Sequence, residues 1–191
     1  IITGGPGTGK TFVAGRLLTL GIKLDVIDPL RIALAAPTGK AAARLQEQIR
    51  NALADAEKNE LLSKPLDAAE LPEARTLHHL LGASADGSHF RFDENNLLPY
   101  DVVLVDEASM IDLMMMARLF RACRADARII LLGDPDQLAS VEAGSVLADI
   151  CGNAHDLPGT PEYTATAAAA TGQPLKSVNE TNPLGDCVVR L

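Results

Sequence analysis

Gly4-Gly5-Pro6-Gly7-Thr8-Gly9-Lys10-Thr11 fits the pattern GxxxxGK[ST] at every defined position. The glycines let consecutive backbone N–H groups turn inward and come close to a phosphate. A helix starting at Lys10 offers its positive N-terminus to the same oxygens. In this pattern the lysine, Lys10, reaches the β- and γ-phosphates, and the Thr11 hydroxyl ligates Mg²⁺. Gly5, Pro6, Gly7, Thr8, Gly9, Lys10 and Thr11 are therefore the candidate nucleotide-binding residues. The flanks agree, because residues 1–3 read as the end of a buried strand and residues 10–20 as a helix.

Strands and helices alternate onward from this loop. Residues 31–36 read as a second strand, ended by Pro37. Residues 39–58 are helical, with Leu45, Ile49 and Leu53 forming one apolar stripe. Residues 102–105 are a short apolar strand, 113–123 have helical composition, and 128–132 form another apolar strand ended by Gly133. Strands that are apolar on both faces and separated by helices imply an α/β fold, a parallel sheet with helices on both faces. Between them, Phe90 and Phe92 alternate as on one face of a hairpin. Met114-Met115-Met116 reads as helix core plus one exposed methionine, and Arg118, Arg121, Arg124 and Arg128 as a solvated helix face. From 152 to 186 the chain is rich in Ala, Thr, Pro and Gly with little periodicity, which reads as a linker or surface insertion. The expected organisation is one domain over 1–151 followed by the segment 152–191. The start at Ile1 inside a strand, and the stop at Leu191, read as a piece of a longer protein trimmed on both sides.

A second chemical feature is Asp101-Val102-Val103-Leu104-Val105-Asp106-Glu107. Two adjacent carboxylates sit at the carboxyl end of a buried strand, the edge where open parallel sheets bind ligands. Asp106 is placed to hold Mg²⁺, directly or through water, and Glu107 to polarise an attacking water. Leu132-Gly133-Asp134-Pro135-Asp136-Gln137 repeats the arrangement on another strand. The neutral amide of Gln137 can donate to the γ-phosphate or to the attacking water without competing as a base.

Composition bounds the function. With 191 residues, 47% hydrophobic and 22% charged, the chain buries a core and is not disordered. No apolar run approaches the roughly 20 residues needed to cross a bilayer, so no membrane role is expected. Three dispersed cysteines and no recognisable secretory leader point to a reducing, cytoplasmic location. The net charge of −8 excludes a wide basic face, but residues 31–50 carry +3, enough for a local phosphate contact. With 3% aromatics and no Trp, an extensive base-stacking platform is excluded.

Taken together these residues resemble the superfamily 1 DNA helicases of the 5′-to-3′ kind, within them the family of bacterial exodeoxyribonuclease V alpha subunits. The resemblance rests on Gly4 to Thr11, Ala36-Pro37-Thr38-Gly39-Lys40-Ala41-Ala42-Ala43-Arg44-Leu45, Thr76-Leu77-His78-His79-Leu80-Leu81-Gly82, Val105 to Asp112 and Leu132 to Gly144. It implies a RecA-like P-loop NTPase domain, the first of two in a DNA-translocating motor with ATP between them. By this analogy Lys10 and Thr11 bind MgATP, Asp106 holds the metal, Glu107 activates water and Gln137 senses the γ-phosphate. Pro37, Thr38 and Lys40 would touch the DNA backbone, and Thr76 and His78 would lie near the DNA path. The implied partners are single-stranded DNA and the beta and gamma subunits of exodeoxyribonuclease V, in recombinational repair. Residues 152–191 would lead toward a second motor domain absent from this chain, so the isolated piece would be weakly active or inactive. Thr38 has a plainer reading as a helix N-cap, and His78 as a packed or solvated histidine.

Rival functions fit less well. A small-molecule kinase needs an arginine-bearing lid and an acceptor pocket, and a GTPase an Asn-Lys-x-Asp motif that does not occur. The alternative that stays open is a nucleic-acid-independent ATP switch or assembly module, against which the water-activating Glu107 counts.

Overall fold

The computed structural model describes residues 1–59, 72–137, 146–152, 159–173 and 184–191. Its strands are β1 (Ile2–Thr3), β2 (Ile32–Ala36), β3 (Ala74–Thr76), β4 (Val102–Val105), β5 (Arg128–Gly133) and β6 (Val189–Arg190). They form one sheet in the order β3-β2-β4-β5-β1-β6, and every pairing between them is parallel. The register places Leu34 opposite Leu104, Leu104 opposite Ile130, and Ile2 opposite Leu132.

The period-2 geometry of a strand divides each apolar run between two cores. Ile32, Leu34, Val102, Leu104 and Leu132 face α1 (Lys10–Lys23) and α2 (Gly39–Lys58). Ala33, Ala35, Val103, Val105 and Leu131 face the other core, with α3 (Leu77–Leu80), α4 (Leu113–Ala122) and α5 (Val146–Cys151). This two-sided cover is why these strands are apolar without alternation.

Helix α2 has the bounds that its spacing predicts, and Leu45, Ile49 and Leu53 are all buried. Helix α1 runs past residue 20 to Lys23. Gly21 does not stop it, because this glycine is a packing site: a Cβ there would come 2.3 Å from Ile27 Cδ1. The second strand starts at Ile32, one residue later than expected, because Arg31 closes a 3₁₀ turn over Pro29–Arg31. Met115 and Met116 are buried and Met114 is exposed, as the helical spacing requires. Phe90 and Phe92 pack half-buried against the α4 side, linked through a single antiparallel bridge from Phe90 to Ala83.

Arg118, Arg121 and Arg128 are exposed, as a solvated face requires, and two of the four arginines make further contacts: Arg118 stacks 4.6 Å over the Phe90 ring, and the half-buried Arg124 pairs with Asp101 and Asp126. The stretch read as a linker or surface insertion contains α6 (Pro161–Thr171). Thr160 caps it, accepting from Tyr163 N at 3.3 Å, Pro161 occupies its first turn, and Gly172 in the left-handed region (φ 69°) ends it. Only Thr164 of this helix is buried, so no apolar stripe marks it in the sequence. Farther on, Val188 is buried in the α4-side core, and β6 pairs with β1. Among the described residues no helix is long and apolar enough to cross a membrane.

Candidate active site

Because all strands run parallel, their carboxyl ends share one edge of the sheet. In sheet order that edge carries Thr76 and His78 after β3, Pro37 to Lys40 after β2, Asp106 and Glu107 after β4, Asp134 to Gln137 after β5, and the glycine loop after β1. All the described candidate residues therefore come to one edge. They separate into two groups along it: four strand spacings, roughly 19 Å, lie between β3 and β1.

The loop end of the edge is a cleft of about 460 Å³. Pro6, Gly7, Gly9, Lys10, Thr11, Asp106, Glu107 and Gln137 all line it. Gly5 and Thr8 shape the loop, since the Thr8 hydroxyl donates to Gly5 O at 3.0 Å. Lys10 Nζ donates to Gly4 O at 2.7 Å and Gly5 O at 2.9 Å, which holds its ammonium inside the loop. Gly9 caps α1 at φ 92°, a conformation open to glycine and strained for other residues. It offers no side-chain cap, whereas Thr38, Thr76, Asp112 and Thr160 each cap the helix that follows them. The first turn of α1 also carries no acidic residue. Its N–H groups and the positive end of its dipole are thus left for an anion.

Across the cleft, Thr11 Oγ1 donates to Asp106 Oδ2 at 3.4 Å. A hydroxyl and a carboxylate side by side are the hard oxygen donors that Mg²⁺ takes. The cationic and amide donors opposite suit the phosphates that would accompany it, so the residues fit a magnesium nucleotide. The strand–turn change after β4 falls on Glu107, which adopts φ 53° and ψ 39°. Its N–H donates to Asp106 Oδ1 at 2.9 Å, so one carboxylate fixes the backbone that aims the other. Asp134 is buried and accepts from Asp136 N at 3.1 Å, shaping the turn that presents the exposed Gln137. Asp136 is also paired with Arg190 of β6 at 3.2 Å. The rest of the Leu132–Gly144 motif, residues 138–144, lies outside the described residues.

The second group does not line this cleft. Thr38 Oγ1 accepts from Ala41 N and Thr76 Oγ1 from His79 N, both at 3.2 Å, so each is a helix cap. His78 is exposed, with its ring centroid 6.2 Å from that of Phe90.

The AAA domain family matches residues 1–143, three-quarters of the chain. The chain belongs to the AAA domain family. Membership implies the use of ATP, which agrees with the glycine loop. This AAA domain is 46% identical over 192 residues to the RecBCD enzyme subunit RecD of Haemophilus influenzae, covering 100% of this chain and 30% of that protein. It is 53% identical over 155 residues to the RecBCD enzyme subunit RecD of Mycobacterium tuberculosis (strain CDC 1551 / Oshkosh), covering 78% of this chain and 26% of that protein. It is 35% identical over 167 residues to the ATP-dependent RecD2 DNA helicase of Deinococcus radiodurans, covering 87% and 20%. The chain thus spans less than a third of the length of these relatives.

Several residues of the AAA domain reach the cleft without having been named as site candidates. Ser109, which is buried, and Arg44 lie within quoted motif stretches; Phe12, Gln48, Asn51 and Asp55 lie outside every motif. The α2 residues recur on one side of a helix, which is visible in the sequence. That this side turns toward the glycine loop is not, because it depends on how α2 crosses α1.

Proposed function

We propose that this chain is the ATP-binding motor domain of a DNA helicase, coupling ATP hydrolysis to 5′-to-3′ translocation on single-stranded DNA and to duplex unwinding in recombinational repair. The observation that carries the reading is the uncapped N-terminus of α1, with Lys10, facing the Asp106–Glu107 pair and Gln137 across one cleft. Lys10 and the α1 amides bind and neutralise the phosphates. Thr11 and Asp106 would hold Mg²⁺, which would supply charge neutralisation to the phosphates when bound. Glu107 orients the attacking water and accepts its proton, and Gln137 donates to the γ-phosphate or to that water.

Pro37, Thr38, Lys40, Thr76 and His78 contact the DNA strand. Their place on the same sheet edge as the nucleotide cleft, and the +3 charge of residues 31–50, support this. Residues 152–191 lead from this domain, 1–151, toward a second motor domain. The parent protein works in the cytoplasm with the beta and gamma subunits of exodeoxyribonuclease V, the assembly that the names of the Haemophilus and Mycobacterium relatives point to.

The test is ATP hydrolysis by the full-length parent with and without single-stranded DNA, with Lys10→Ala as the blank. A large stimulation by DNA that Lys10→Ala removes is the expected result. Hydrolysis indifferent to DNA, alone and with the partner subunits present, overturns the motor reading in favour of an ATP switch.

A further inference from the structure

Helix α1 is apolar on two sides. The inner side carries the buried Ala14, Gly15, Leu18 and Thr19 and packs on the sheet and α2. The outer side carries Val13, Leu17, Leu20 and Leu24, which recur at intervals of four, three and four residues. At 3.6 residues per turn these four fall within about 60° of arc, turned away from the core. Val13 is half-buried, but Leu17, Leu20 and Leu24 keep 46%, 51% and 60% of their surface exposed. The turn that follows adds Val26 and Leu30, both exposed. It folds back on the helix, since Val26 N and Ile27 N donate to Gly21 O at 3.0 and 3.2 Å.

Single exposed leucines are ordinary, but a contiguous run at this spacing is not. Alternation of four and three is the seam by which one helix packs on another. Within α1 only Lys10, Arg16 and Lys23 are charged, and Lys10 is held inside the phosphate loop. A helix that is apolar on both sides belongs between two covering layers. Among the described residues only the inner layer is present.

We propose that the outer seam of α1 is covered by an amphipathic helix of the parent protein, from the part of its chain that precedes residue 1. The spacing fixes the shape of the occupant, a helix with its own apolar stripe at a seven-residue period. Arg16, over the Phe12 ring, and Lys23 border the seam, so carboxylates beside that stripe are the complement. The source follows from length and topology. The chain spans less than a third of the length of its RecD relatives, so most of such a protein lies outside these residues. Helix α1 runs back from the carboxyl edge, so Leu20, Leu24, Val26 and Leu30 lie at the amino edge, just before β2. Chain preceding residue 1 enters β1 at that same edge, whereas chain following residue 191 leaves β6 at the carboxyl edge. The inference is independent of the reaction in the cleft. The two are joined mechanically, because the seam starts three residues after Lys10, on the helix that carries the phosphate lysine.

The experiment is photo-cross-linking of the full-length parent with Leu24→p-benzoylphenylalanine, at the rim of the seam, and with the same substitution at the exposed Leu113 of α4 as the control. Irradiation of the Leu24 variant is expected to join it to a peptide from the part of the chain before residue 1, and the Leu113 variant to give no such product. A cross-link instead to residues 1–191, to the chain after residue 191, to a second copy or to a partner subunit overturns the proposal, and so does the absence of any cross-link. Leu20→Cys gives a second reading with a small side chain. In the native parent its thiol is expected to react with a maleimide roughly tenfold or more slowly than that of Leu113→Cys, the two rates converging in denaturant. Equal rates in the native protein would show the seam open to water and refute the covering helix.

Discussion

Glu107 combines a chemical and a conformational oddity: a carboxylate at the end of a buried strand, held at φ 53° in the left-handed region. Such a conformation costs a non-glycine residue on the order of 1 kcal/mol and persists where the surroundings enforce it. Here the enforcement is visible, since Asp106 Oδ1 accepts the Glu107 N–H. Glu107→Gln keeps the shape and the backbone while removing the proton acceptor. Nucleotide affinity is therefore expected to be retained and single-turnover hydrolysis to fall by roughly 10²–10⁴-fold. An unchanged hydrolysis rate would move the water-activating role elsewhere. Lys10→Ala removes the one ammonium inside the loop, and MgATP titration should then detect no binding. Both residues were legible in the sequence because a motif fixes them by spacing to a strand end or a helix start. Gln48 and Phe12 were not, since their approach to the loop is a matter of helix crossing.

At the scale of elements, α2 and α6 mark the two limits of sequence reading. The stripe Leu45, Ile49, Leu53 exists because α2 buries one side against the sheet, and the same burial gives the helix its predicted bounds. Helix α6 buries only Thr164 and rests on its alanines and its caps, so periodicity is silent and only Thr160, Pro161 and Gly172 announce it. Caps also separate structure from recognition at Thr38. As the N-cap of α2, Thr38→Ala is expected to cost about 1 kcal/mol in denaturant unfolding, and Thr38→Ser to cost little. If both variants bind single-stranded DNA as wild type does, Thr38 is a cap alone; weakened binding by the stably folded serine variant assigns it a contact. The crossing of α1 and α2 is set by Gly15, where a Cβ would come 2.7 Å from Ala52 Cβ. Gly15→Val must push the helices apart, with an expected loss of about 1–3 kcal/mol and a weaker ATP affinity, because α2 walls the cleft.

The sheet as a whole has two edges with opposite tasks. The carboxyl edge gathers the chemistry; the amino edge is fastened by charge. There Asp101, just before β4, accepts from Arg31 Nε at 2.6 Å and its terminal nitrogen at 2.8 Å, and from Arg124 at 2.9 Å. Arg124 also pairs with Asp126 at 2.5 Å, so the starts of β2, β4 and β5 are joined. The Arg31 guanidinium donating to it is the main reason the Asp101 carboxyl lies below its ordinary range. A carboxyl depressed in the folded state stabilises the protein above its unfolded pKa of about 3.9, and that contribution is lost as the pH falls through the lower folded value. Asp101→Asn is therefore expected to melt below the wild type at pH 7, with the gap closing as the pH drops below about 4 and the wild-type carboxyl protonates. The paired side chains are a third or so exposed, so the gap at pH 7 should be modest and shrink with added salt. Hydrolysis at neutral pH should be untouched in the variant, since the network lies at the far edge from Lys10 and Glu107. A gap that stays constant down to acid pH would show that Asp101 acts through packing and backbone bonds, such as Arg128 N to Asp101 O at 2.8 Å, and that the charges fasten nothing.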